Sequence, residues 1–205
     1  MKLIVFGATG GVGQQFVQQA LEKSHEITAF VRTPSKVTAT GIHIIQGDAF
    51  NATDVAAAIK GHEAVVTCLG STEGPEKHTS IEKMTRNIAD GMEQHGVRRI
   101  VYCASAGVHK ELTGIIGKMV MKMLEKPLTD HRNALNYLLS KDVVYTIARP
   151  MGLKDNPIEL DYTEVFDGPP SGASSIPRAS VAHFMVKALE DSKYENASVG
   201  LASKK

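Results

Sequence analysis

At 205 residues the chain has the length of one globular domain, and 42% hydrophobic with 22% charged residues excludes disordered and fibrous classes. Twenty-three Lys and Arg against 22 Asp and Glu leave a net charge of +1, a poor basis for nucleic-acid or membrane-surface binding. Two cysteines make no disulfide framework, and the first apolar run is too short for a signal core or a membrane span, so a cytoplasmic protein is expected.

Apolar runs alternate with helical patterns along nearly the whole chain. Leu3 to Phe6 is a continuous apolar run ending in glycines, as in a strand buried on both faces. Val12, Phe16, Val17, Ala20 and Leu21 then recur at helical spacing between Gly11 and Lys23. Ile27–Val31 and Ile42–Ile45 give two more strands, and Asn51 or Thr53 caps a helix through Val55, Ala56 and Ile59. A fourth strand is expected at Ala64–Leu69, a helix over Ser80–Gln94, and a fifth strand at Ile100–Cys103. One helical region spans Gly114 to Ser140, followed by a sixth strand at Val143–Ala148. The tail adds a strand around Tyr162 to Phe166 and a helix from about Pro177 to Glu190. Six strands separated by crossover-length segments imply parallel connections. The expected fold class is therefore α/β, a Rossmann-type doubly wound parallel sheet with helices on both faces, in one domain spanning residues 1–205.

Gly7-Ala8-Thr9-Gly10-Gly11-Val12-Gly13 lies between the first strand and the first helix. In that context Gly7 permits a tight turn, Gly10 lets backbone approach a pyrophosphate, and Gly13 allows close helix–strand packing. The N–H groups of Gly10 to Val12 and the positive end of the helix dipole favour a diphosphate; the alternative is a tight turn without ligand. The second strand ends in Val31-Arg32-Thr33-Pro34-Ser35-Lys36, with no acid to take a ribose 2′-hydroxyl. Arg32 and Lys36, with Ser35 between them, instead suit a 2′-phosphate, so NADP(H) is expected over NAD(H). Asp48, beside Ala49, can accept from an adenine amine or close an Asx-turn before the next helix. Leu69-Gly70-Ser71 ends the fourth strand, where glycine lets backbone lie beside a ribose.

Gly7-Ala8-Thr9-Gly10-x-x-Gly13, Val31-Arg32, Gly47-Asp48, Cys103-Ala104-Ser105-Ala106 and Arg149-Pro150 together resemble the atypical short-chain dehydrogenase/reductase superfamily. Their length and order look most like the flavin reductase/biliverdin-IXβ reductase branch. The resemblance implies that Ser105 lies by the nicotinamide, where a hydroxyl fixes the carboxamide or relays a proton. It also implies that Cys103 and His131 contact the cofactor, His131 opening the helix before the sixth strand, and that Pro150 and Met151 wall the nicotinamide. The sequence departs from that branch at Gly152, where a histidine follows the proline pair. It departs again at Gly107–Glu111, which lacks the apolar and aromatic residues expected beside a tetrapyrrole or flavin.

Tyr137 and Lys141 reproduce the spacing of the dehydrogenase Tyr–Lys pair, but near the end of their helix and too close to Pro150; they read as packing and as a helix C-terminal cation. The histidines show no metal-ligand spacing, so no metal is expected, and both cysteines read as small core residues. Met119, Met121 and Met123 suit core, lid or oligomer contact alike. The expectation is an NADPH-dependent reductase passing a hydride to a small flat acceptor such as a flavin, a biliverdin-like tetrapyrrole or a quinone. The rivals are a non-catalytic NADP(H) sensor and a sugar-nucleotide epimerase or dehydratase relative.

Overall fold

The computed structural model describes residues 1–70, 80–169 and 173–204. The chain runs β1 (Lys2–Phe6), α1 (Gly11–Glu22), β2 (Glu26–Val31), β3 (His43–Gln46), α2 (Ala52–Ile59), β4 (Ala64–Thr67), α3 (Ser80–His95) and β5 (Arg99–Cys103). It continues through α4 (Gly114–Met123), α5 (Glu125–Leu138), β6 (Val144–Pro150), β7 (Gly152–Lys154), β8 (Tyr162–Val165), β9 (Ser175–Pro177), α6 (Arg178–Glu190) and β10 (Ala197–Ser203).

The main sheet has eight strands in the order β3-β2-β1-β4-β5-β6-β10-β8. All its pairings are parallel except the last, where β8 runs antiparallel to β10. Because side chains alternate along a strand, Leu3 and Val5 of β1 pack on one face with α1 and α6, while Ile4 and Phe6 pack on the other with α2, α3 and α5. That is why the first strand is apolar at consecutive positions: both faces are covered. β7 and β9 form a separate parallel pair beside the main sheet.

Four features differ from the sequence expectation, the first being the β7–β9 pair, for which no strand was expected. The helical region from Gly114 to Ser140 is two helices, broken at Leu124. Pro127 explains the break, since a proline inside one long helix would leave the Met123 carbonyl without its donor, whereas the first turn of α5 needs no such N–H. β10 was not expected because Ala-Ser-Val-Gly-Leu-Ala-Ser offers only Val199 and Leu201 as large apolar residues; it is a strand because β6 and β8 flank it. The fourth strand stops at Thr67, two residues short of Leu69. No helix among the described residues is long and apolar enough to cross a membrane.

Candidate functional site

Strand order reverses direction between β1 and β4, and in such sheets the crevice at the carboxyl ends of the strands is where ligands bind. A cleft of about 490 Å³ opens there. It is lined by Gly7, Thr9, Gly10, Gly11 and Val12 after β1, by Arg32 after β2, and by Asp48 and Ala49 after β3. Cys68, Leu69 and Gly70 after β4, Cys103 and Ala104 at the end of β5, and His131 of α5 complete the other side.

The glycine turn is held by crowding. Gly7 has φ +82°, and a Cβ there would fall 2.5 Å from the Cys68 carbonyl oxygen. A Cβ on Gly13 would fall 2.1 Å from the Gly7 carbonyl oxygen, so the helix can start only this close to the strand if that residue is glycine. Gly13 is thus buried behind the turn rather than on the cleft. Gly10 N-caps α1 without a side-chain cap, and no acid stands in the first turn. The first helical bond runs from Gln14 N–H to the Gly10 carbonyl at 2.9 Å, which leaves the N–H groups of Gly11, Val12 and Gly13 without helical partners, whereas the Gly10 N–H, expected among the diphosphate donors, is taken by the Gly7 carbonyl at 3.0 Å.

At the β2–β3 end, Arg32 is exposed and forms no ion pair among the described residues. Ser35 and Lys36 sit on a short 3-10 turn and do not join Arg32: Lys36 lines a neighbouring groove against α1. Asp48 lines the cleft, but its Oδ1 accepts from Phe50 N–H at 3.0 Å in an Asx-turn, leaving Oδ2 for a ligand. Asn51, not Thr53, caps α2 through its side chain. The Ala49 carbonyl is clamped by Asn87 of α3 at 2.9 Å.

At the β5–β6 end, His131 corrects the expectation of a helix-opening residue. It is the seventh residue of α5 and 9% exposed, with Nδ1 2.9 Å from the Tyr102 hydroxyl. Burial lowers its pKa to about 4, so the ring is neutral, while burial pushes the Tyr102 phenol well up and keeps its proton in place. Neighbouring Asp130 accepts from Ile81 and Glu82 N–H at 3.0 Å each and so fixes the start of α3. Burial also raises the Cys68 thiol and pushes Cys103 to about 12, which makes both poor nucleophiles. Ser105 is half-buried next to the cleft-lining Ala104, and its hydroxyl donates to the Ala106 carbonyl at 3.2 Å. Pro150 is the buried last residue of β6, and Met151 donates its N–H to the Leu201 carbonyl at 2.9 Å. None of Ser105, Pro150 and Met151 lines the cleft directly. Ser71 lies outside the described residues.

Several side chains that build or wall this part of the molecule carry no assignment from the sequence. Arg149 is 2% exposed and pairs with Glu111 at 2.5 Å, which ties the segment after Ser105 onto β6. Two backbone bonds reinforce it, Ala104 N–H to the Ala148 carbonyl and Ala106 N–H to the Pro150 carbonyl, both 2.8 Å. Leu153 and Arg178, from β7 and α6, also wall the cleft. Arg149 stands in the Arg149-Pro150 motif, but nothing near it marks Glu111 as its partner, and no local pattern marks Leu153 or Arg178, because each acts across a gap of tens of positions.

Tyr137 and Lys141 lie elsewhere. The Tyr137 hydroxyl donates to Asp90 at 2.7 Å, and Lys141 pairs with Asp90 at 3.1 Å and Glu93 at 2.8 Å, on the outer side of α3 and α5.

The fold and cleft define an NAD(P)H-binding protein. Residues 7–192 match the NAD(P)H-binding family, and the chain belongs to it. An uncharacterized protein of Bacillus subtilis (strain 168), YwnB, is 38% identical over 82 residues; the match spans 40% of this chain and 37% of YwnB. A short-chain dehydrogenase/reductase of Veillonella parvula, solved in complex with NADP, superposes with a TM-score of 0.83 at 21% identity, covering 98% of this chain and 94% of that one. ChuY, an anaerobilin reductase of Escherichia coli O157:H7, superposes with a TM-score of 0.81 at 21% identity, covering 98% and 97%. These two likenesses establish the fold. The cofactor fits what the turn presents: the N–H groups of Gly11 and Val12 without helical partners, no acid in the first turn and an open cleft above them.

Proposed function

We propose that the protein is an NADPH-dependent reductase of a small, flat, conjugated acceptor: a flavin, a biliverdin-like tetrapyrrole or a quinone. The observation that carries this reading is the cleft itself, which runs from Arg32, without an ion pair among the described residues and with no acid beside it in the Val31–Lys36 segment, across the glycine turn, to Cys103, Ala104 and His131. Arg32 holds the 2′-phosphate, and the N–H groups of Gly11 and Val12 hold the diphosphate. Asp48 Oδ2, the Ala49 backbone, Leu69 and Gly70 border the adenosine and ribose. When bound, the reduced nicotinamide supplies the hydride, and a solvent proton completes the two-electron reduction.

His131 meets the cleft as a neutral ring with Nδ1 engaged by Tyr102. With the tyrosine O–H donating, Nε2 carries the ring proton and can orient a carboxamide or an acceptor carbonyl. Ser105 stands behind the same end next to the cleft-lining Ala104, in a segment held to Pro150 through the Ala106 N–H. Catalysis on this reading comes from positioning. The proposal includes a cytoplasmic setting and a small-molecule partner.

A sensor that binds NADP(H) without turnover is the second reading. It is favoured by one feature: the Ser105 hydroxyl is spent on the adjacent Ala106 carbonyl, and every thiol and imidazole at that end is held neutral.

NADPH oxidation, followed by loss of near-ultraviolet absorbance against FMN, riboflavin, biliverdin and quinones with NADH in parallel, tests the proposal. Saturable oxidation preferring NADPH is expected. Tight NADPH binding without oxidation of any acceptor would select the sensor, and absence of binding would end both readings.

A further inference from the structure

We propose that Arg178 is a mobile cationic clamp on the diphosphate of the bound dinucleotide, parked in the free protein on Asp155. The inference rests on the diphosphate lying over the glycine turn, and it starts from Gly11. A Cβ built on Gly11 would fall 2.6 Å from Cδ and 2.8 Å from Nε of Arg178. The second glycine of the Gly10-Gly11 pair therefore makes room for an arginine stem rather than for a phosphate. α6 begins at Arg178 and brings that side chain across the chain's first turn, so one residue walls both the dinucleotide cleft and the larger groove between α1 and α6.

The charges point the same way. Arg32 and Arg178 are the two permanent cations among the described residues lining the cleft, since His131 is neutral. Arg32 stands at the β2 end and suits the 2′-phosphate, which leaves the two negative charges of the diphosphate to the N–H groups of the turn and to Arg178. The guanidinium is partly committed: Nη1 donates to Asp155 Oδ1 at 2.7 Å, and Nε and Nη2 have no hydrogen-bond acceptor among the described residues. The Asp155 side chain is 87% exposed, so the ion pair is largely solvated and holds the arginine weakly. A diphosphate arriving on the uncapped helix start offers a doubly charged, partly desolvated partner at the same spot. The ion pair with Asp155 keeps the arginine beside the cleft until then.

The test separates three contacts by the ligands that make them. NADPH and NADH share the diphosphate; adenosine 2′-monophosphate lacks it; and the chain has no Trp to obscure the fluorescence of bound reduced nicotinamide. Arg178→Gln keeps a stem over Gly11 and removes the charge. It should weaken NADPH and NADH by the same factor, on the order of tenfold to a hundredfold, and leave competition by adenosine 2′-monophosphate unchanged. Arg32→Ala should do the opposite, weakening NADPH and adenosine 2′-monophosphate and sparing NADH. Asp155→Asn removes the competing carboxylate and should leave both dinucleotides bound as before or tighter, by up to about threefold.

The clamp is wrong if Arg178→Gln leaves both dinucleotide affinities unchanged. It is equally wrong if Asp155→Asn weakens them as much as Arg178→Gln, because the ion pair would then only brace the loop. Equal loss of all three ligands in Arg178→Gln would mean a distorted site and would overturn it too. Wild-type protein that binds neither dinucleotide would instead remove the cofactor placement beneath the proposal.

Discussion

The two ends of the cleft are built by different physics. The β1–β2 end is a matter of backbone proximity: Gly7 and Gly13 let a strand, a turn and a helix crowd to distances no side chain would permit. The β5–β6 end is a matter of long-range polar pairs: Arg149 with Glu111, Tyr102 with His131, and Arg178 with Asp155 at the junction between the ends. A crowded turn is encoded in seven consecutive residues from Gly7 to Gly13, whereas a buried pair is encoded in two distant ones. The first end should therefore be sensitive to a single methyl group and indifferent to pH, and the second should respond to charge and protonation.

The largest effect is expected where a charge is stranded. Glu111→Gln leaves the Arg149 guanidinium buried without its carboxylate and should cost about 3–5 kcal/mol of unfolding free energy, measured by urea denaturation. Burial alone would raise the Glu111 carboxyl, but N–H groups of its own loop and the Arg149 guanidinium outweigh burial and hold it below its ordinary value. A carboxylate with a lowered folded pKa adds stability above its unfolded value and loses it as pH falls through the folded one. Wild-type protein should accordingly lose stability below the usual carboxylate range, and Glu111→Gln should flatten that acid limb. An unchanged acid limb in the variant would remove Glu111 from the account.

Next comes the crowded turn. Gly13→Ala forces a methyl against the Gly7 carbonyl and should cost about 3 kcal/mol, read as a lowered midpoint in the same denaturation experiment. Gly10→Ala is the control: φ is −79° and the added Cβ would stand 3.3 Å from the Gly7 carbonyl oxygen, so the fold should lose less than about 1 kcal/mol. Dinucleotide binding should nevertheless fall in Gly10→Ala, because that methyl occupies the ligand's side of the turn. If Gly10→Ala and Gly13→Ala destabilise equally, the division of labour among the glycines is wrong.

The same division explains what could be read from the chain. The order of the first six strands, the first three helices and the cofactor turn follow from contiguous runs, so composition and spacing suffice. β10 is invisible because small residues form a strand only when neighbours on both sides supply the pairing. Pro127 did mark the break between α4 and α5, and the helical period on either side of it masks that signal. His131 was found as a residue but placed at the wrong depth, since nothing near position 131 announces Tyr102 beneath it. Arg178 was missed because the reason for Gly11 lies far along the chain.

A smaller effect is expected at Tyr102. Tyr102→Phe removes the partner of His131 Nδ1 and should cost about 1–2 kcal/mol of stability. Under the reductase reading it should also lower turnover while leaving dinucleotide affinity within about twofold, since the contact is remote from the glycine turn. His131 carries its own pH signature. Its folded pKa is about 4, below the ordinary imidazole value, so the unfolded chain takes up a proton at higher pH than the folded one. Stability contributed by this group is intact above about pH 6.5 and declines as pH falls toward 4. Turnover should show no imidazole titration near 6.5; such a titration would mean that the ring is accessible to protons and that Tyr102 does not hold it.

The smallest effect is expected at the pair whose spacing most resembles a dehydrogenase catalytic motif. Tyr137 and Lys141 are joined to Asp90 and Glu93 on the outside of α3 and α5, and neither lines the cleft. The Tyr137 phenol is raised chiefly by its hydrogen bond to Asp90, and Lys141 is raised by its bond to Glu93 and then to Asp90. Those shifts run against catalysis, because a proton-donating tyrosine needs a lowered pKa beside a lysine turned toward the substrate. Tyr137→Phe should change stability by less than about 1 kcal/mol, and neither it nor Lys141→Ala should alter NADPH oxidation. A large loss of turnover in either variant would place the reacting end of the cleft on the opposite side of α5, and would break the contrast between a backbone-built cofactor end and a pair-built reacting end.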